Sequence, residues 1–182
     1  MNLKAIKPGT LVAKKLPIYF VVLVDVGGID RQVLVSKIKE AGGLNEPAEK
    51  IITHESFDVP AETRVISVAA FEVCWFGENR FLDDKFLAAW SGQHLCEGIV
   101  CRTLAFDEPP FVAINGLEAI PFPFLWCGVI PRRTVIDFQQ TATMFRLARY
   151  DSSKPRLLEA HPRKHYPSHA ERILLAVDRI AA

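Results

Sequence analysis

The chain has 182 residues, 49% hydrophobic and 24% charged, with a formal charge of +1 and a mean hydropathy of +0.14. That length suits one domain with a sizeable core, and the composition excludes a disordered polar chain or a disulfide-dense secreted scaffold. The basic opening stretch MNLKAIKPGTLVAKK is followed by no apolar leader core. The apolar run 111–130 is broken by Asn115, Glu118, Pro121 and Pro123, so neither a secretory leader nor a membrane span is expected.

Tyr19–Val26 is short, β-branched and nearly all apolar, which predicts a strand buried on both faces. After Gly27-Gly28, residues 29–41 place Ile29, Val33, Leu34, Ile38 and Ala41 at helical spacing, closed by Gly42-Gly43. A β-hairpin through Gly27-Gly28 into Gln32–Val35 is the alternative. Asn45–Thr53 suits a short helix, Arg64–Phe76 a long strand and Leu82–Trp90 a helix. Ile99–Phe106, Phe111–Ile114, Ile120–Trp126 and Thr134–Phe138 are predicted strands, and Gln139–Arg149 a helix.

Residues 151–167 carry three prolines and suggest an extended connector. Ser168–Ala182 combines a Ser168/Glu171 capping-box pattern with an apolar face of Ile173, Leu174, Val177 and Ile180, predicting an amphipathic helix. The expectation is an α/β or α+β fold: one compact domain, with a mixed sheet flanked by helices. Its core would span 1–150, with the basic connector and C-terminal helix of 151–182 docked on it.

The charge is uneven. Residues 132–182 hold ten Lys/Arg and five Asp/Glu, a surplus of +5; residues 1–131 hold twelve and sixteen, a deficit of −4. A basic last third suggests nucleic acid or an acidic protein face as partner, or a solvated surface. Within it, the exposed-looking segment HPRKHYPSH presents Arg163, Lys164 and His165 as partner-binding candidates.

Common nucleotide-loop, hydrolase and zincin motifs are absent, no cofactor is implied, and whether the chain is an enzyme stays open. The four cysteines suit free thiols in a reducing cytoplasm. His94, Cys96 and Cys101 are zinc-type ligands, but Cys-x4-Cys without a second pair fits buried thiols better. Asp25, ending an apolar strand, could join Glu72 and Asp107 or Asp137 in a two-metal nuclease centre, or simply cap the turn after it. Gly77, Glu78, Asn79 and Arg80 lie between a predicted strand and helix, where backbone N–H groups and Arg80 could hold an anion. Phe106, Phe111, Phe122, Phe124 and Trp126, among the prolines of 106–131, are either core or the surface of a protein-binding or inhibitory module.

Three of these pieces, in order, resemble the ParB/sulfiredoxin superfamily, nearest its plasmid fertility-inhibition proteins. They are Val24–Asp30, the Gly77-Glu78-Asn79-Arg80 box, and Asn115–Phe122, which is similar to a Gly-x-x-x-Ile-Pro strand. Asn79 departs from the usual His or Arg of the box, and the Ile-Pro piece needs an insertion of about twenty-five residues. The Asp25 region is also similar to the first strand of RNase H-like nucleases. The resemblance to fertility-inhibition proteins implies an accessory protein of a mobile element that binds nucleotide or nucleic acid and blocks conjugative DNA transfer.

Overall fold

The computed structural model describes residues 10–15, 22–76, 93–96, 99–115, 117–118, 120–130, 143–161 and 171–180. Arg64–Phe76 (β3) is a strand over its whole predicted length. Val68 and Ala70 point into the main core, with Ala69 and Phe71 buried on the opposite face, so the middle of the strand is apolar on both sides.

One edge of β3 is shared by Thr10–Lys15 (β1) and Val22–Val26 (β2), both antiparallel to it. The other edge carries Glu171–Ile180 (β9). Beyond β9 come Gln93–Cys96 (β4) and Ile99–Thr103 (β5) as one antiparallel pair, with β5 bonded to β9. Phe124–Ile130 (β6), Thr143–Ala148 (β7) and Leu157–His161 (β8) complete a nine-stranded mixed sheet. The β6–β9 pair is parallel.

Among the described residues, three helices cover one face. Arg31–Ala41 (α1) starts on Asp30, whose side chain accepts from the Gln32 N–H, and Glu46–Thr53 (α2) starts on Asn45, which accepts from the Ala48 N–H. Glu108–Ile114 (α3) is the third. Leu34 and Ile38 of α1, Ile51 and Ile52 of α2, and Phe111 and Val112 of α3 meet Val24, Val26, Leu125, Phe145, Leu158 and Leu174 of the sheet in one core. Each such side chain contributes about 1.5–3 kcal/mol when fully buried. The fold is α+β, with a mixed sheet and flanking helices as expected. No described helix is long and apolar enough to cross a membrane.

Several elements differ from expectation. Residues 171–180 form β9, a central strand, not a C-terminal helix, and together with β8 they make the last third part of the sheet instead of an appendage on it. Residues 143–148, expected at the end of a helix, are β7. Phe111–Ile114 belongs to a helix, because Pro109 and Pro110 occupy its first turn, where a missing N–H costs nothing. β2 is buried on one face only: Val24 and Val26 are in the core, while Leu23 is 70% exposed and Asp25 is exposed. The hairpin alternative for Gln32–Val35 gives way to α1, although Val33 is exposed and Val35 takes its place in the core. The elements expected at 82–90 and 134–138 lie outside the described residues.

Candidate functional site

β2 ends where Gly27 turns the chain toward α1. Gly27 has φ +88°, and a Cβ on it would stand 2.4 Å from the Glu62 carbonyl oxygen and 2.8 Å from that of Pro60. A larger residue is therefore excluded by both backbone conformation and space. The turn opens a cleft of about 640 Å³ between β2, α1 and α3. Ile29, Ala41, Phe111 and Ile114 supply its apolar surface, and Asp25, Lys37, Glu40, Thr63 and Asn115 its polar rim.

The rim residues are placed by elements with other work to do. Lys37, Glu40 and Ala41 share a side of α1 because they are three and four residues apart, while Leu34 and Ile38 fix the helix on the core. Phe111, Ile114 and Asn115 lie on α3, where the Asn115 amide donates to the Phe111 carbonyl at 2.7 Å. Two carboxylates against one ammonium make the rim acidic. It belongs to a wider acidic region, since residues 22–62 hold eight Asp/Glu and four Lys/Arg, a surplus of −4. Lys39–Glu49 and Lys50–Glu46 pair on the surface of α1 and α2, leaving Asp25, Glu40 and Lys37 in no ion pair among the described residues.

α3 is anchored by a buried ion network that sequence reasoning missed. Glu108, fully buried, accepts a two-pronged bond from Arg102 (2.7 Å to each oxygen), one from Arg64 at 3.2 Å and one from the Ala105 N–H at 2.7 Å. Arg64 also donates to Asp107 at 2.8 Å. Burial alone would raise the Glu108 carboxyl. The bonds from Arg102 and Ala105, the Arg102 charge and the Arg64 bond outweigh it and hold the group below its usual range. The network ties β3 and β5 to the first turn of α3. The available signal was a carboxylate pair, Asp107-Glu108, just before two prolines.

The alternative of a metal centre at Asp25 does not assemble among the described residues. Asp25 stands opposite Val65 in the β2–β3 register, and Glu72 lies seven residues further along β3, roughly 23 Å away and on the other face. Asp107 is held by Arg64, and Asp137 lies outside the described residues. Among the described residues, no three His, Cys, Asp or Glu side chains group closely enough to hold a metal ion. His94 and Cys101 are register partners on β4 and β5; the buried Cys101 thiol donates to the Ile99 carbonyl. Cys127 is also free, and burial pushes its thiol up, away from reactivity.

The anion box Gly77, Glu78, Asn79 and Arg80 and the basic trio Arg163, Lys164 and His165 lie outside the described residues. Among the described residues of the last third, four arginines turn toward the rest of the protein. Arg146 bonds Glu159 at 2.8 Å and lies over the Phe124 and Trp126 rings, Arg149 pairs with Glu118, and Arg172 lies over Phe122. Arg156 is buried and donates to the carbonyls of Leu117, Ile120 and Phe122. Burial, then the neighbouring Arg149 charge, push its guanidinium down to about 10, so it remains a cation at neutral pH.

The aromatics of 106–131 divide between buried and half-buried positions. Phe111 and Trp126 are fully buried, Phe106 contacts Phe57 and Phe145 by ring edge and ring face, and Phe124 meets Tyr150. Arg156 clamps the 117–123 loop, which stands where the Ile-Pro strand was expected.

No family model, curated protein or solved structure matches the chain.

Proposed function

We propose that this chain is a binding protein whose site is the β2–α1–α3 cleft, and that the group it holds is positively charged. The observation that carries this reading is the placement of Asp25 and Glu40, both exposed, beside an apolar patch of Ile29, Ala41 and Ile114. A mainly polar cleft with two carboxylates beside an apolar patch favours an ammonium or guanidinium on a short apolar stem, because the stem covers the patch while the charge stays at the wet rim. The remaining buried charges, Glu108, Arg146, Glu159 and Arg156, are taken up in holding strands, loops and α3 together.

The setting expected from the sequence, an accessory protein of a mobile element that interferes with conjugative DNA transfer, is a proposal resting on Val24–Asp30, Gly77–Arg80 and Asn115–Phe122. A binding module is compatible with it. Nucleotide or nucleic-acid contact is a separate claim about Arg80, tested by salt-sensitive DNA or ATP binding and its loss in Arg80→Ala.

The cleft is tested with arginine amide as probe, followed by amide shifts in nuclear magnetic resonance. Saturable shifts at Gly27, Glu40 and Asn115, lost in the Asp25→Asn/Glu40→Gln double variant, are expected. Shifts that never saturate, or that survive the double variant, would overturn the reading.

A further inference from the structure

A second hollow of about 350 Å³ adjoins the cleft. Ile29 lines both, and the second is also lined by Asp30, Asp58 and Val59. Acidic groups therefore stand at both ends of α1: Glu40 at its C-terminal end, and Asp30 with Asp58 at its N-terminal end. Arg31 lines the second hollow too, but its guanidinium donates to the Thr53 and Phe57 carbonyls. Asp30 and Glu40 are ten residues apart on one helix, about 15 Å at 1.5 Å per residue.

We infer that the occupant is an extended polypeptide segment of a partner protein carrying two basic side chains four or five residues apart. The inference rests on the cleft reading above and deepens it. An extended chain rises about 3.3 Å per residue, so four to five residues span the two acidic ends. Lys37 lies between them on α1, which disfavours a third cation in the middle of the segment. Ile29, shared by both hollows, gives the central residues an apolar contact. The sign of the charge turns away a polynucleotide, whose phosphates would meet carboxylates at each end.

The test measures fluorescence anisotropy of labelled nine-residue peptides with the whole chain. One peptide has two lysines four residues apart; the others have adjacent lysines, a single lysine, or two glutamates. The spaced peptide is expected to bind about tenfold tighter than the single-lysine peptide and to weaken as salt rises, because the second contact is made from an already tethered chain. Asp58→Asn, and Asp30→Asn, which keeps a capping side chain, should abolish that tenfold advantage while arginine amide still saturates the cleft.

Equal binding of the single-lysine or adjacent-lysine peptide would overturn the two-point inference and leave the cleft reading standing. So would an advantage unchanged in Asp58→Asn. Loss of arginine amide binding in the unaltered protein would remove both. Tighter binding of a single-stranded oligonucleotide than of any peptide, unaffected by these variants, would also sink the inference.

Discussion

Residues 22–62 and residues 143–161 treat charge in opposite ways. In the first stretch most acids stand exposed on the outside of the helical layer, around the cleft and along α1 and α2, and of these Glu49 and Glu46 pair with the surface lysines Lys39 and Lys50. In the second, Arg146 and Arg156 are each 6% exposed, and their guanidinium groups end on Glu159, on ring faces or on loop carbonyls. The difference shows that a surplus of one sign in a sequence is not a surface of that sign. A count of +5 over the last third suggests an anionic partner, yet Arg146, Arg149, Arg156 and Arg172 neutralise or solvate groups of the protein itself, whereas the acids of 22–62 mostly face water.

The comparison can be broken at its inward end first. Arg156→Ala should cost about 3–5 kcal/mol, because the Leu117, Ile120 and Phe122 carbonyls lose a charged donor at once, and should shift the urea midpoint sharply. A change under about 1 kcal/mol would mean that Arg156 is a surface cation after all. Next, Glu159→Ala leaves Arg146 buried without its carboxylate and should cost about 3 kcal/mol in the same measurement.

Glu108→Gln keeps the shape of the α3 anchor but removes its charge, for an expected loss of about 2 kcal/mol. The pH dependence follows from the lowered carboxyl. Its stabilising effect is fully present above the ordinary carboxylate range and is lost as pH falls through the depressed folded value. Unfolding followed down through that acid window should therefore lose stability in the unaltered protein, and less steeply in Glu108→Gln. An identical slope in both would remove Glu108 as the cause. At the outward end, Glu49→Ala breaks only the exposed pair with Lys39 and should change stability by less than about 0.5 kcal/mol.

How much of this was legible depends on how local the signal is. α1 and α2 could be found because Asp30, Asn45 and Gly42-Gly43 start or stop them through bonds within a few residues. Gly42 has a second reason invisible in the sequence: a Cβ there would stand 2.0 Å from the carbonyl oxygen of Arg156, more than a hundred residues away. The cleft was half legible. Asp25 and Gly27 mark the strand end, but the wall opposite comes from α3, which reads as a strand until Pro109 and Pro110 are placed in a first turn.

Periodicity, turn residues and caps are enough to place β3 over its full length, α1, α2, a mixed sheet with flanking helices and the strand end at Asp25. Tertiary structure alone decided the fate of residues 171–180. Ile173, Leu174, Leu175 and Ala176 form an unbroken apolar run that fits one face of a helix as well as a strand buried on both sides. Backbone bonding to β3 on one edge and to β5 and β6 on the other selects the strand, because only there are both faces of the run and both edges of its backbone satisfied. The same long-range pairing decided which charges point inward. A side chain's partner across a sheet or loop is set by register, and register is not written in the residue itself.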